Sequence, residues 1–193
     1  MTLDDIDWKL IMQLQQNGRK TFKELGETIG FTSLGAKKRV DKLLEKNLIQ
    51  ISASVNPNAL DLRLALILLE TKDADATRNI IKRYRGCPRI INFFTTMGGF
   101  NLIAIVMAED QATLESEAME KCGLRSGEGI RRSEFFPIGK LDNTTFLPIK
   151  TETLSKKTDI TPCGVQCKDC PSFQNEKCVG CPSVKYYRGP LKI

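Results

Sequence analysis

The sequence predicts an α+β fold in three parts: an N-terminal (winged) helix-turn-helix, a ferredoxin-like β-α-β-β-α-β unit, and a small cysteine-rich module at the C-terminus. Three observations support this prediction. Apolar residues first recur at helical spacing, and then form runs that are typical of buried strands. Five of the seven cysteines in this 193-residue chain lie between Cys163 and Cys181. We place the three parts at residues 1–55, 60–139 and 159–193, with a linker at residues 140–158.

The first part is predicted to contain three helices. Apolar residues four apart indicate the first helix, which ends at Asn17-Gly18. Thr21 and Glu24 have the spacing of a capping box at the start of the second helix, and Gly30 supplies the turn into the third. Residues 48–55 alternate in polarity and predict a wing or a bridging strand. The inner face of the third helix carries Ala36, Val40, Leu43 and Leu44.

The second part has the pattern of apolar residues expected of a four-stranded sheet with two helices. Strands are predicted at residues 62–69, 89–97, 101–108 and 130–138, with helices after the first and the third. Two helices cover only one face of such a sheet, yet the first and third strands are apolar on both faces. The uncovered face must therefore pack against another surface. A second copy of the chain, giving a homodimer, is the simplest partner, and the alternative is that the C-terminal tail folds over this face.

The amino-acid composition and charge exclude several classes of function. The chain contains no histidine, which excludes Ser-His and Cys-His catalysis and every His-ligated metal site. No apolar run is long enough to span a membrane, and the first thirty residues lack the apolar core of a signal peptide. We therefore expect a soluble cytoplasmic protein with no membrane partner. The net charge of +6 is concentrated at the two ends of the chain, which fits contact with a polyanion better than a catalytic cleft.

The helix-turn-helix points to double-stranded DNA. Two short helices joined by a tight glycine turn can lay the second helix in the major groove, and Gly26 allows the two helices to pack closely. Lysine reaches phosphates or the acceptors of guanine, and serine bonds either bases or phosphates. A generic three-helix bundle with a solvated charged face is the alternative. The outward residues that we assign to DNA binding are Ser33, Lys37, Lys38 and Lys42.

Several segments resemble the Lrp/AsnC family of transcription regulators. The resemblance is carried by Leu3-Asp4-Asp5-Ile6-Asp7, Asn17-Gly18-Arg19, Ile29-Gly30-Phe31-Thr32 and Lys38-Arg39-Val40-Asp41-Lys42-Leu43. It extends to about Gly139 and so includes the predicted sheet. The resemblance implies a non-enzymatic regulator that binds operator DNA and forms dimers, which can assemble further into octamers.

The same resemblance identifies a candidate effector site. Met97-Gly98-Gly99-Phe100-Asn101 stands where the family has a Gly-Asp-Tyr/Phe-Asp hairpin beside its effector pocket, which makes Gly98, Gly99 and Asn101 candidate effector-binding residues. Gly99 and Asn101 replace both acidic positions, so an amino-acid ligand would lack the expected partner for its ammonium group. A plain hairpin at an oligomer contact is the alternative.

The clustered cysteines indicate a metal site. Cys167/Cys170 and Cys178/Cys181 form two Cys-x-x-Cys-Pro units separated by seven residues. Each unit can present two thiolates from one tight turn, and two units complete a tetrahedral site, so zinc is the first choice. Cys163 adds a Cys-x3-Cys-x2-Cys spacing that suits an iron–sulfur cluster, the second choice. A thiol–disulfide switch is the third. All five cysteines are candidate ligands.

These observations favour a sequence-specific transcription regulator whose C-terminal module senses metal or redox state, or docks a partner. Two alternatives from other classes remain. One is a redox or iron–sulfur protein or enzyme, against which stands the absence of histidine, of a nucleotide-binding loop and of a substrate domain. The other is an interaction module that keeps the sheet dimer but has lost specific DNA reading.

Overall fold

Three helices form the N-terminal unit of the chain: α1 (Asp5–Gln16), α2 (Phe22–Ile29) and α3 (Ser33–Glu45). The computed structural model describes residues 2–154 and 157–191 and divides the chain into two compact units, Met1–Ala53 and Ser54–Ile193. Leu10, Leu25, Ala36 and Val40 form the core of the first unit. The predicted helix-turn-helix is confirmed.

Local capping explains where these helices begin and end. Thr21 accepts a hydrogen bond from the Glu24 amide, and the Glu24 carboxylate accepts one from the Thr21 amide, as the predicted capping box requires. Gly30 ends α2 in the left-handed conformation with φ of 73°, which glycine adopts without steric cost. The predicted wing is not formed, because residues 48–54 contain no strand and Val55 makes only an isolated bridge to Leu147.

The second unit is built on a four-stranded antiparallel sheet. Its elements are β1 (Arg63–Thr71), α4 (Ala74–Tyr84), β2 (Ile90–Thr95), β3 (Leu102–Ala108), α5 (Gln111–Met119) and β4 (Ile130–Ile138). The strand order is β2-β3-β1-β4. The predicted β-α-β-β-α-β arrangement is therefore confirmed.

The two faces of the sheet are covered differently. On one face, alternate residues of β1 pack against the helices, and the core includes Ala65, Ile67, Leu69, Ile80, Tyr84 and Leu114. On the other face, Leu64 and Met107 are covered by Leu141, Leu147 and Ile149. The sequence predicts a linker at residues 140–158. In the structure, residues 141–149 of this segment pack over one end of the sheet. Their three apolar side chains show neither helical nor strand periodicity, because they stand among polar residues.

The rest of that face is left open. The register of the strands places Leu66 and Leu68 beside Ile103, Ile105 and Phe136, and Phe94 beside Ile103. Phe94 and Phe136 are 44% and 47% exposed. The predicted linker, and not mainly the C-terminal tail, thus covers one end of the face, and an apolar strip is left over the remainder.

The C-terminal residues are not a separate domain. Their regular structure among residues 157–191 is limited to a 3-10 turn at Cys167–Asp169 and the single-turn helix α6 (Pro171–Gln174). Arg83 Nε donates to the Cys163 carbonyl at 3.2 Å, and Ser172 Oγ donates to Glu120 at 2.6 Å. Cys163 also belongs to the main core of the sheet. The cysteine-rich module predicted at 159–193 therefore packs as an extension of the second unit.

Candidate nucleic-acid interface and cysteine centre

The exposed side of α3 carries every residue that the sequence assigned to DNA. Ser33, Lys37, Lys38 and Lys42 are all exposed, whereas Ala36, Val40 and Leu43 are buried in the same helix. Thr32 caps α3 by accepting a hydrogen bond from the Gly35 amide at 3.1 Å. The N-terminal residues of α3 are thus presented outward on a helix whose inner face is fixed by the core.

Two features fix the position of α3: a close backbone approach at Gly26 and the interactions of Arg39. A Cβ atom on Gly26 would lie 2.7 Å from the Phe31 carbonyl oxygen, so only glycine permits this approach of α2 to the turn. Arg39 donates to Asp4 and to Asp7, each at 2.8 Å, and its guanidinium lies 5.4 Å from the centre of the Phe31 ring. Arg39 therefore links α3 to the start of α1. The Asp7 amide and then Arg39 hold the pKa of Asp4 below its usual value.

Leu34 is a surface residue of α3 that sequence reasoning missed. It follows Ser33 directly and is 63% exposed. Its position in the first turn of α3 is the available signal, but a search for charged and polar side chains does not select an apolar residue. An exposed aliphatic side chain at this position can contact the methyl group of thymine.

The candidate effector hairpin is closed by its own asparagine. Asn101 Oδ1 accepts from the Thr71 amide at 2.8 Å and from the Thr71 hydroxyl at 3.0 Å, while its Nδ2 donates to the Thr71 carbonyl at 3.0 Å. Asn101 thus fastens the loop between β2 and β3 to the end of β1. Gly98 and Gly99 lie exposed in that loop. The side chain of Asn101 is engaged with Thr71 and is therefore not free to bind a ligand beside them.

All seven cysteines line one small cavity of about 30 Å³ in the second unit. Cys163, Cys167, Cys170, Cys178 and Cys181 come from the C-terminal extension, whereas Cys87 follows α4 and Cys122 follows α5. From spacing alone the last two are taken for isolated core residues, since nothing local connects them to the cluster. Within residues 2–154 and 157–191, no three His, Cys, Asp or Glu side chains are arranged to hold a metal ion. The cysteines therefore share a cavity without forming a closed tetrahedron.

Burial in the cavity favours the protonated form of several of these thiols. Burial raises the pKa of Cys167 to about 11 and that of Cys181 to about 12, and it raises the pKa of Cys87 and Cys122 still further. Backbone amides oppose this effect at four positions: the Arg89 amide at Cys87, the Cys181 amide at Cys167, the Ser183 amide at Cys181, and the Phe173 and Ser172 amides at Cys170. The Gly180 amide donates to Cys178 Sγ at 3.4 Å.

A buried ion-pair network forms part of the cavity wall. Arg89 Nη2 donates to Glu109 at 2.5 Å and to the Gly180 carbonyl at 2.6 Å, and Nη1 lies 2.8 Å from Glu117. Glu109 also accepts from the Tyr187 hydroxyl at 2.5 Å. Burial raises the pKa of Glu117 to about 7, against the effect of Arg89. Arg89 Nε is the one buried side-chain nitrogen or oxygen of the described residues without a hydrogen-bond partner.

Comparison with known proteins covers both units. Residues 3–44 match the AsnC-type helix-turn-helix domain. The chain is 30% identical over 123 residues to the HTH-type transcriptional regulator Ptr1 of Methanocaldococcus jannaschii, a match that covers 62% of this chain and 81% of Ptr1. It is 28% identical over 151 residues to the HTH-type transcriptional regulator FL11 of Pyrococcus furiosus, covering 77% of this chain and 97% of FL11. About a quarter of this chain lies outside that match.

Solved structures show the same fold. Escherichia coli AsnC superposes with a TM-score of 0.64 at 18% identity, over 75% of this chain and 99% of AsnC. The transcriptional regulator NMB0573 of Neisseria meningitidis, solved as a complex with L-Met, superposes with a TM-score of 0.66 at 25% identity, over 76% and 97% of the two chains. These relatives are regulators rather than enzymes, in agreement with the non-enzymatic function expected from the sequence. No helix among the described residues is long and apolar enough to cross a membrane.

Proposed function

The chain belongs to the Lrp/AsnC family of DNA-binding transcriptional regulators, and from this we infer that it binds specific operator sites as a homodimer, with α3 in the major groove. One observation carries the proposal. The match to the AsnC-type domain covers residues 3–44, which are the residues that build α1 to α3 and present the exposed lysines of α3.

The exposed side chains of α3 have two different roles, one in affinity for DNA and one in sequence specificity. Lys37, Lys38 and Lys42 supply positive charge that can neutralise phosphates and release counterions, which gives affinity without sequence preference. Ser33 and Leu34 stand in the first turn of α3, where a recognition helix reads base edges. We assign specificity mainly to these two residues and affinity mainly to the lysines.

The open strip of the sheet supports a homodimer. Phe94 and Phe136 are large, apolar and nearly half exposed on a face whose central residues are aliphatic. A second copy presenting the same strip would bury both. A dimer brings two recognition helices to one operator, so we expect a site with two related halves. Assembly of dimers into octamers, as the family resemblance implied, is a further expectation for the full chain.

The proposal includes no amino-acid effector at the loop between β2 and β3. The relative NMB0573 was solved with L-Met, but in this chain the side chain of Asn101 is occupied by three hydrogen bonds to Thr71. No carboxylate stands at positions 99 or 101 to pair with an ammonium group.

We propose in addition that the C-terminal cysteines hold a metal centre. The support is chemical: seven cysteines line one cavity, and all four sulfurs of the two Cys-x-x-Cys pairs receive backbone amide hydrogens. Amide donors of this kind stabilise thiolates, which are the form that binds metal. Cys167, Cys170, Cys178 and Cys181 would hold the centre, whether zinc or an iron–sulfur cluster, and Cys163 lies beside them.

Capture of genomic fragments on the immobilised protein tests the regulator proposal. Purified full-length protein is mixed with fragmented DNA from its own source, and retained fragments are sequenced after washing at increasing salt. We expect a small set of fragments to stay bound at salt concentrations that release the rest. Equal release of all fragments would instead favour an interaction module that no longer reads sequence.

A further inference from the structure

We propose that the cavity lined by the seven cysteines binds an iron–sulfur cluster rather than a single zinc ion, with Cys167, Cys170, Cys178 and Cys181 as its ligands and Arg89 as a hydrogen-bond donor to it. This inference deepens the metal-binding part of the proposed function and rests on it. It is independent of DNA binding by the N-terminal unit.

The spread of the cysteines favours a cluster. A tetrahedral zinc site with Zn–S bonds of about 2.3 Å needs its sulfurs roughly 3.8 Å apart. No three potential ligands among the described residues are so arranged, although all seven cysteines reach the same cavity. A cluster is bound through different iron atoms, so its thiolate ligands surround a volume instead of a point.

Backbone amides approach all four sulfurs of the two Cys-x-x-Cys pairs. Amide hydrogens of Gly180, Cys181 and Ser183 point to Cys178, Cys167 and Cys181 respectively. Those of Ser172 and Phe173 point to Cys170. Such N–H···S bonds set the stability and potential of iron–sulfur centres.

The other three cysteines have different surroundings. Cys163 pairs its sulfur with the Thr161 hydroxyl at 3.1 Å. Cys87 and Cys122 follow α4 and α5 and lie outside the two Cys-x-x-Cys pairs, although Cys87 also receives the Arg89 amide. We therefore assign these three to the wall of the cavity and not to the cluster.

Arg89 points to an anionic occupant. It is buried, it lines the cavity, and its Nε has no partner among the described residues. A buried donor without an acceptor is costly, and the sulfur atoms of a cluster held by four thiolates would provide acceptors with negative charge. Arg89 also binds the Gly180 carbonyl between Cys178 and Cys181, so it ties the second cysteine pair to the start of β2.

The test uses the full chain, purified without air and then incubated with ferrous iron and sulfide or with zinc. Iron, zinc and acid-labile sulfide are measured together with the visible absorption spectrum. We expect roughly two to four irons and an equal amount of sulfide per chain, with a brown colour. Cys178→Ser and Cys167→Ser should each lower the iron content at least about twofold. Cys122→Ala, a cysteine of the same cavity without a ligand role, should retain it.

Three results would overturn the cluster. One zinc per chain with no sulfide would refute the cluster but leave the proposal of a metal centre standing, as a mononuclear zinc site. Disulfides with no bound metal would refute both the cluster and the metal centre. Equal iron loss from Cys122→Ala and Cys178→Ser would refute the ligand assignment. If a variant fails to fold, X-ray absorption of the iron-loaded wild type decides instead, because iron–iron scattering is present only in a cluster. Operator binding is measured on the same samples, so failure of DNA recognition is seen separately.

Discussion

Arg89 and Glu109 form an ion pair 2.5 Å long, with only 5% and 2% of their side chains exposed. Glu109 is joined in turn to Tyr187, and Arg89 to the carbonyl of Gly180. This pair connects the start of β2 and the end of β3 to the second cysteine pair and to the segment that follows it. Since its charges are removed from water, its integrity matters more to stability than that of any exposed pair.

We predict that Arg89→Met destabilises the protein by about 3–5 kcal/mol, because it leaves the Glu109 carboxylate buried without its cation. Urea unfolding monitored by circular dichroism measures the loss. The matched control is Arg78→Met, which breaks an ion pair with Asp75 whose arginine is 67% exposed and should change stability by less than about 0.5 kcal/mol. Equal effects of the two changes would show that the buried network contributes little.

We predict that Lys37→Ala with Lys38→Ala weakens operator binding at least about tenfold at 0.1 M salt and flattens its salt dependence, because fewer counterions are released. The slope of log affinity against log salt should fall by about 0.9 for each phosphate that the variant no longer neutralises. Lys82→Ala with Lys121→Ala removes the same charge from exposed positions of the second unit and serves as the control. An unchanged slope in a folded Lys37/Lys38 variant would contradict the assignment of α3.

We predict that Phe94→Asp with Phe136→Asp converts a dimer into a monomer, because each copy would then bring unpaired carboxylates into an apolar interface. Light scattering at micromolar concentration measures the mass. Met119→Asp, at a site on α5 that is 84% exposed, should leave the dimer intact. A wild-type monomer, or a double variant that still dimerises, would exclude the open strip as the interface.

We predict that the cost of Asp4→Asn depends on pH. Asparagine still caps a helix, but it cannot form the ion pair with Arg39. The pKa of Asp4 is lowered on folding from 3.8, so its charge stabilises the fold above that pH and ceases to do so as the pH falls through the lowered value. Asp4→Asn should therefore reduce Tm at neutral pH and have no effect well below pH 3.8. In an Arg39→Met background the neutral-pH effect should shrink, and an undiminished effect would assign it to the cap alone.

We predict that Gly26→Ala destabilises the N-terminal unit by about 1–3 kcal/mol, because the added methyl group would lie 2.7 Å from the Phe31 carbonyl oxygen and force the turn apart. Thermal unfolding and DNA affinity should both report the change. Gly99→Ala adds the same methyl group where no atom lies within 4 Å and should be nearly neutral. If Gly26→Ala is equally mild, close packing of α2 on the turn is not required for the fold.

Features that depend on neighbouring residues could be predicted from the sequence. The capping box of Thr21 and Glu24, the left-handed turn at Gly30, and the outward position of Lys37 and Lys38 follow from spacing over three or four residues. The β-α-β-β-α-β order follows from the same kind of local pattern. The prediction of a wing was wrong. Alternating polarity over residues 48–55 favours an extended strand, but a strand is stable only when its backbone is hydrogen-bonded to a neighbouring strand.

The amino-acid sequence by itself thus determined the order of elements, the helix-turn-helix and the group of five cysteines. Only the tertiary structure decided that residues 141–149 cover one end of the sheet, and that Cys87 and Cys122 face the same cavity as the C-terminal cysteines. It also decided that Arg89 binds the carbonyl of Gly180, 91 positions away in the chain. Periodicity and capping report interactions within a few residues, whereas contacts over such separations arise when packed elements exclude water around a common core.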